Sequence, residues 1–299
     1  MRGPPLSPGN GIPAKSGSGV RVRHTGIVRA RAAVFDVYGD HLADQAYWAP
    51  ISAVVTLLQA CGIAAPATRT AVSRMTAQGW LEPMTRHGVR GYAATAVGRD
   101  RLAEAWVRIY RPAAPDWDGR WHVVVTARPV DRTQRERVTA TLGYLGYGRL
   151  APQTWIAARS SPELSTALSG LQIGYSTFST TDLKDSRELL ARTWDLSELA
   201  SSYQAFADDT AALGARLGTG LSPAEAYALR AGLVHRWRKF LFVDPALPEE
   251  VLPSPWPGQL ARDLFLEAAG DLLGPARIFV AETLAAAGVP ELTTEDPRG

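Results

Sequence analysis

Apolar positions along the chain change their spacing twice. Up to about residue 110 they recur in short helical blocks. Val28, Ala32 and Phe35 share one side of a predicted helix over 27–39. Ile51 through Leu57-Leu58 mark a second helix over 49–61, with Pro50 in its first turn, where a missing N–H is harmless. A third helix follows Gly62. At 100° per residue its Ala67, Ala71, Val72 and Met75 fall on one face, and Arg69, Thr70, Ser73 and Thr76 on the other. Pro66 occupies its first turn and Ala65 is a poor cap there. Gly79 ends the helix and Trp80-Leu81 open a strand. Arg86-His87-Gly88-Val89-Arg90 then reads as a basic hairpin turn, and Thr95 caps a further helix through Leu102, Trp106 and Ile109.

Arg111-Pro112-Ala113-Ala114-Pro115 is a linker by composition, and after it the pattern becomes β-branched. Strands are predicted at 120–127, within 148–157 and at 175–179. A helix over 131–144, capped by Asp131 and turning Val138, Leu142 and Leu145 inward, lies between the first two. A shorter one over 160–171, opened by Ser161-Pro162, lies between the last two. Strand–helix–strand–helix–strand in about 65 residues predicts a small ferredoxin-like sandwich. From Asp182 onward the periodicity is helical, over 183–195, 197–213, 222–242 and 257–287, with prolines punctuating 244–257.

The expected fold class is therefore α+β: an N-terminal winged helix-turn-helix, a central ferredoxin-like α/β sandwich and a helical C-terminal domain. The expected boundaries are a disordered extension at 1–25, the winged helix at 26–110 and a linker at 111–118. A central dimerisation domain at 119–182, a helical effector and dimerisation domain at 183–288 and a flexible tail at 289–299 complete the division.

Composition narrows the class. A chain of 299 residues, 46% hydrophobic and 20% charged, has the make-up of an ordinary soluble globular protein with room for several domains. No apolar run approaches eighteen residues, so no membrane-spanning helix is expected. The Gly/Pro/Ser-rich first 25 residues lack the apolar stretch of a secretory signal. A single cysteine, Cys61, excludes an internal disulfide and suits a reducing cytoplasm. Neither a metal-ligand cluster nor a cofactor motif is present, so no cofactor is expected. Residues 1–117 hold 14 Lys and Arg against 7 Asp and Glu, whereas the remainder holds 18 against 22. A basic N-terminal third on an acidic body suits a DNA-binding module joined to one with another task.

Guanidinium and hydroxyl groups on one helix face are the donors that read base edges and hold phosphates. Arg69 and Ser73 are expected to point toward base edges, with Thr68 beside them, and Thr70 and Arg74 toward phosphates. Arg86, His87 and Arg90 would lay the hairpin along the backbone or in the minor groove. The alternative for such a face is plain solvated surface, and for Arg74 a salt bridge within the domain.

Several separate motifs resemble the PaaX-like transcriptional repressors of phenylacetate catabolism. Gly39-Asp40 stands at the close of the first helix, and Ala67-x-Arg69-Thr70-Ala71-x-Ser73-Arg74 precedes Gly79-Trp80-Leu81. Asp118-Gly119-Arg120-Trp121 opens the central region, where Leu150-Ala151-Pro152-x-x-Trp155 recurs. His235-x-Trp237-Arg238-x-Phe240, Asp244-Pro245-x-Leu247-Pro248 and Leu252-Pro253-x-x-Trp256-Pro257-Gly258 follow in order. The resemblance spans roughly residues 26–288. It implies a cytoplasmic homodimer that represses a catabolic operon by binding double-stranded operator DNA. It also implies release by an aryl acyl-CoA effector such as phenylacetyl-CoA. An acyl-CoA needs cations for its phosphates and an apolar slot for its acyl arm. His235, Arg236, Trp237, Arg238 and Lys239, with Tyr203 on the preceding helix, are the candidates, and helix–helix packing is the alternative for them. The extension at 1–25 and the Ala65-Pro66 start of the third helix depart from a typical member.

Other functions remain open at this stage. Another acyl-CoA or small ligand is one, and a DNA-binding protein that senses nothing is another. A ferredoxin-like metal-dependent nuclease is a third, disfavoured because the first strand ends Val125-Thr126-Ala127-Arg128, without the carboxylate a metal would need. No enzymatic activity is expected.

Overall fold

The computed structural model describes residues 30–86, 88–110, 117–181, 186–217 and 220–290. The extension at 1–25, His87, most of the linker and nearly all of the C-terminal tail lie outside the described residues.

The N-terminal module runs α1 (Ala30–His41), β1 (Trp48–Pro50), α2 (Ile51–Ala60), α3 (Ala65–Ala77), β2 (Leu81–Arg86), β3 (Val89–Ala94) and α4 (Ala96–Tyr110). Its helices form because each has one apolar stripe to bury: Val34, Val37 and Tyr38 on α1, Val54, Leu57 and Leu58 on α2, Ala71, Val72 and Met75 on α3. The strands make an antiparallel sheet in the order β1-β3-β2. At Gly91 the β1 backbone comes so near that a Cβ would collide with the Ala49 carbonyl, which is why glycine stands there. Thr95 caps α4, its Oγ1 accepting from the Gly98 amide at 3.1 Å. Gly39-Asp40 do not close the first helix, which continues to His41. Gly39 instead lets α1 approach α4, since its Cβ would lie 3.3 Å from Leu102.

The central unit runs β4 (Trp121–Thr126), α5 (Arg132–Tyr144), β5 (Gly148–Ala151), β6 (Thr154–Ala157), α6 (Leu164–Gly170) and β7 (Tyr175–Thr180). The strand order β5-β6-β4-β7, antiparallel throughout, is the ferredoxin-like arrangement. The single strand region expected at 148–157 is a hairpin that folds back at Pro152-Gln153, with Ala151 opposite Thr154. Pro152 has no N–H to carry the ladder onward. One sheet face packs Val124 and Trp155 against Val138 and Leu142 of α5 and Leu168 of α6. The other packs Trp121, Val123 and Ile156 against Leu190 and Leu247.

The C-terminal helices are α7 (Ser186–Thr193), α8 (Leu196–Leu217), α9 (Pro223–Arg238) and α10 (Gly258–Ala286). A capping box starts α9: the Ser222 hydroxyl accepts from the Glu225 amide while Glu225 reaches back to the Ser222 amide. Phe206, Trp237, Phe240 and Phe265 fill the space among α8, α9 and α10. The far half of α10 leaves that core. Its Ala276, Val280 and Leu284, with Tyr227 of α9, belong to the same cluster as Val34, Leu57 and Val72. The N-terminal module thus shares one core with the C-terminal helices, and its orientation is set by them. Among the described residues no helix is long and apolar enough to cross a membrane.

Candidate nucleic-acid interface

The outer face of α3 carries Arg69, Thr70, Ser73 and Arg74, all exposed. The inner face buries Ala71, Val72 and Met75 as expected and differs at its first position. Ala67 is exposed, and Thr68 is wholly buried with its hydroxyl donating back to the Ala64 carbonyl at 3.4 Å. Thr68 is therefore withdrawn from the DNA contacts: a small hydroxyl that bonds its own helix can take an apolar position. The Thr70 hydroxyl likewise donates to the Pro66 carbonyl, at 2.9 Å, but stays on the surface. The side chains of Arg69, Ser73 and Arg74 meet no hydrogen-bond or ion-pair partner among the described residues.

Beside α3, β2 and β3 form a hairpin with Arg86 opposite Val89 and Thr85 opposite Arg90. Gly88 has a positive φ of +74°, which glycine adopts without strain. Arg90 is exposed and has no partner among the described residues. Arg86 behaves differently. Its Nη1 donates to the Gln45 carbonyl at 3.2 Å and its guanidinium lies 5.8 Å from the Trp48 ring centre. Trp48 in turn donates from Nε1 to the Met84 carbonyl at 3.1 Å. Arg86 thus fastens the hairpin to the segment before β1 and holds its half-exposed guanidinium in place. His87 lies outside the described residues.

The six effector candidates do not converge on one surface. Tyr203 is buried, stacked on Phe240 with ring centres 4.1 Å apart, and donates to Asp244 Oδ2 at 2.5 Å. Burial pushes both the Tyr203 phenol and the Asp244 carboxyl up from their ordinary ranges. Trp237 is sandwiched flat on Phe265 at 4.7 Å and donates to the Ile109 carbonyl. His235 Nδ1 and Arg238 Nη1 face the two oxygens of Asp36 on α1, at 3.1 and 2.7 Å. Arg236 pairs with Asp209 of α8 at 2.9 Å, and Lys239 stands exposed. His235, Arg236 and Arg238 are thus engaged with α1 and α8, because a helix with neighbours on several sides spends its cations on each of them.

Sequence reasoning missed the centre of this arrangement, Arg230. It is 3% exposed. Its Nε and Nη2 reach Asp40 Oδ2 and Oδ1, both at 2.9 Å, its Nη2 also donates to Tyr110 Oη at 2.7 Å, and its Nη1 donates to the Ala269 carbonyl. Tyr110 Oη donates to Asp40 Oδ1 at 2.6 Å. One guanidinium therefore ties α1, the end of α4 and α10 together. A forked, fixed donor geometry suits this duty, and a lysine would not replace it. Arg108 of α4 reaches the central unit, pairing with Glu163 and lying 4.6 Å from the Tyr144 ring centre. No local signal marks these partners, since Asp40 and Arg230 are 190 residues apart. Among the described residues no group of three or more His, Cys, Asp and Glu is placed to hold a metal. Asp131 is the N-cap of α5, accepting from the Gln134 amide at 2.7 Å.

Three family models match the chain in succession: a PaaX-like protein over 29–96, a PaaX protein central Cas2-like domain over 114–191 and a PaaX-like protein C-terminal domain over 194–282. The transcriptional repressor PaaX of Escherichia coli (strain K12) is 29% identical over 267 residues, covering 85% of this chain and 84% of that protein. The solved structure of an uncharacterised protein from Mycobacterium tuberculosis covers 87% of this chain and 99% of its own, with a TM-score of 0.55. At 22% identity, that likeness is one of fold. Three models of one family in chain order, with a full-length relative, place the chain in the PaaX-like family of transcriptional repressors.

Proposed function

We propose that the protein represses transcription of a catabolic operon by binding double-stranded operator DNA through α3 and the β2–β3 hairpin. The observation that carries this reading is the contrast in arginine use. Arg69, Arg74 and Arg90 stand outward without partners among the described residues, on one helix and its adjoining hairpin. Arg69 and Ser73, at the middle of α3, face base edges in the major groove, and a bidentate arginine–guanine contact contributes roughly 1–3 kcal/mol of discrimination. Thr70, Arg74 and Arg90 hold phosphates and set the register. A homodimer would supply two such modules, each reading a half-site one or more helical turns from the other.

The effector in this reading is an aryl acyl-CoA such as phenylacetyl-CoA, as the family resemblance implies. The shared core of the N-terminal module and α9–α10 supports a coupled response, because displacement of those helices moves α3 with them. A coupling of 1–3 kcal/mol is typical of allosteric proteins and corresponds to about 5- to 150-fold in operator affinity.

The test is binding of the purified chain to its own promoter fragment and to a random duplex at one fixed salt, with and without phenylacetyl-CoA. Preference for the promoter, reversed by the thioester but not by phenylacetate or coenzyme A alone, is expected. Equal binding to both duplexes would overturn the reading. Specific binding untouched by the thioester would leave the DNA contact standing and remove this effector.

A further inference from the structure

A cavity of about 250 Å³ lies at the joint between the N-terminal module and α9. Asp36, Asp40 and His41 of α1 form one wall, Cys61 and Ile63 after α2 a second, and Tyr227 and Gly232 of α9 a third. It is more than a packing defect, because buried polar atoms stand on its wall without adequate partners. Tyr227 is fully buried, and its hydroxyl has only the Cys61 thiol beside it, a weak partner. The His41 side chain is 3% exposed. Its Nδ1 has no hydrogen bond, and its Nε2 lies 3.3 Å from Asp40 Oδ2 without hydrogen-bond geometry. Orphaned polar groups of this kind are rare in folded proteins and call for an explanation.

The charge on the wall is already balanced. Asp40 is held by Arg230, and Asp36 by Arg238 and His235. An ion entering would lose its hydration, and the carboxylates on the wall are already paired. His41 does not supply one, since burial lowers it to about 4 and keeps the ring neutral, with one N–H and one acceptor nitrogen. The remaining lining is largely apolar, from Ala33, Val37, Leu58 and Ile63 among others. An apolar cavity of about 150 Å³ suffices for benzene.

We propose that this cavity is a binding site for a small uncharged aromatic molecule carrying one hydroxyl or similar hydrogen-bonding group, which the Tyr227 hydroxyl and the His41 ring nitrogens would satisfy. The volume admits a ring and a short substituent, not a nucleotide, so the site is distinct from one that takes a whole coenzyme A thioester. Because α1 and α9 both line it, an occupant presses on the joint that orients α3. That regulatory consequence rests on the repressor reading, but occupancy itself does not.

The probe is p-cresol, titrated by ligand-observed NMR against the full chain with no DNA present. Its eight non-hydrogen atoms give an expected dissociation constant on the order of 1 mM. A Cβ at Gly232 would meet no atom within 4 Å, so Gly232→Leu extends into open space from a helix that tolerates leucine better than glycine. It is expected to weaken p-cresol at least about tenfold while leaving a cooperative melt, and Ala228→Leu serves the same purpose should Gly232→Leu fail to fold. Tyr227→Phe is expected to weaken p-cresol about fivefold, the worth of a hydrogen bond, and to leave toluene unchanged. Absence of saturable binding to the natural chain, or equal affinity in a folded filler variant, overturns the site. Failure of promoter binding would instead strike the repressor reading and leave these titrations untouched.

Discussion

Helices α3 and α9 both carry arginines, and they use them in opposite ways. On α3, Arg69 and Arg74 project into solvent with no partner among the described residues. On α9, Arg230, Arg236 and Arg238 are committed to Asp40, Asp209 and Asp36. What differs is the surroundings. Helix α3 packs one face on α1 and α2 and leaves the other to water, whereas α9 is covered by α1, α8 and α10. A buried guanidinium must be paired to be tolerated, so the partners of Arg230 and Arg238 are a condition of folding. An exposed one has no such need, and its charge stays available to a polyanion. The contrast teaches that an arginine cluster gains its meaning from what lies across from it.

Removal of the inward charge has the greatest consequence. Arg230→Met leaves Asp40 buried without its forked partner and is expected to destabilise the protein by about 3–5 kcal/mol, read from urea denaturation. A loss below about 1 kcal/mol would show that the clamp is ornamental. The next effect is one of pH. Folded His41 titrates at about 4, chiefly through burial, against an ordinary value near 6.5. Between those values the unfolded chain binds the extra proton. Its stabilising contribution is therefore complete above about pH 6.5 and is lost as the pH falls. Between pH 7 and pH 4.5 the expected loss is about 2–3 kcal/mol, and His41→Gln should show a correspondingly flatter profile in the same denaturation series.

Smaller effects belong to the outward side. Arg69→Ala is expected to lower operator affinity by about 1–3 kcal/mol in a fluorescence-anisotropy titration while shifting stability by less than about 0.5 kcal/mol. Stability loss with unchanged DNA affinity would reverse the assignment of α3. Arg90→Ala should reduce the slope of log affinity against log salt by about one unit. An unchanged slope would take Arg90 off the DNA backbone.

Much of this was legible in the chain itself. The α-helices followed from apolar spacing, and the caps at Thr95 and Asp131 from their side-chain oxygens. The exposure of Arg69, Thr70, Ser73 and Arg74 followed from the 100° rotation per residue. At the start of α3 the buried position is Thr68 and not Ala67, because a polar-looking threonine can satisfy its hydroxyl within its own helix. The hairpin at Pro152-Gln153 was hidden because β5 and β6 are four residues each and run together as one β-rich stretch. The three-residue β1 carries too few residues to show any period. Least legible were the long-range pairs. His235, Arg236 and Arg238 looked like a ligand's phosphate clamp, and nothing near them in sequence announced Asp36 and Asp209 as their partners.

The most direct test of the division between outward and inward arginines is a competition experiment. The chain's own promoter fragment competes against random duplex at one salt concentration for the natural protein, Arg69→Ala and Arg236→Ala. Arg236 pairs across a partly exposed surface, so its loss leaves no buried charge behind. The natural protein and Arg236→Ala are expected to prefer the promoter equally, and Arg69→Ala to lose most of that preference while remaining folded. Equal preference in all three proteins, or none in the natural one, would contradict the assignment of α3 as the DNA-reading helix.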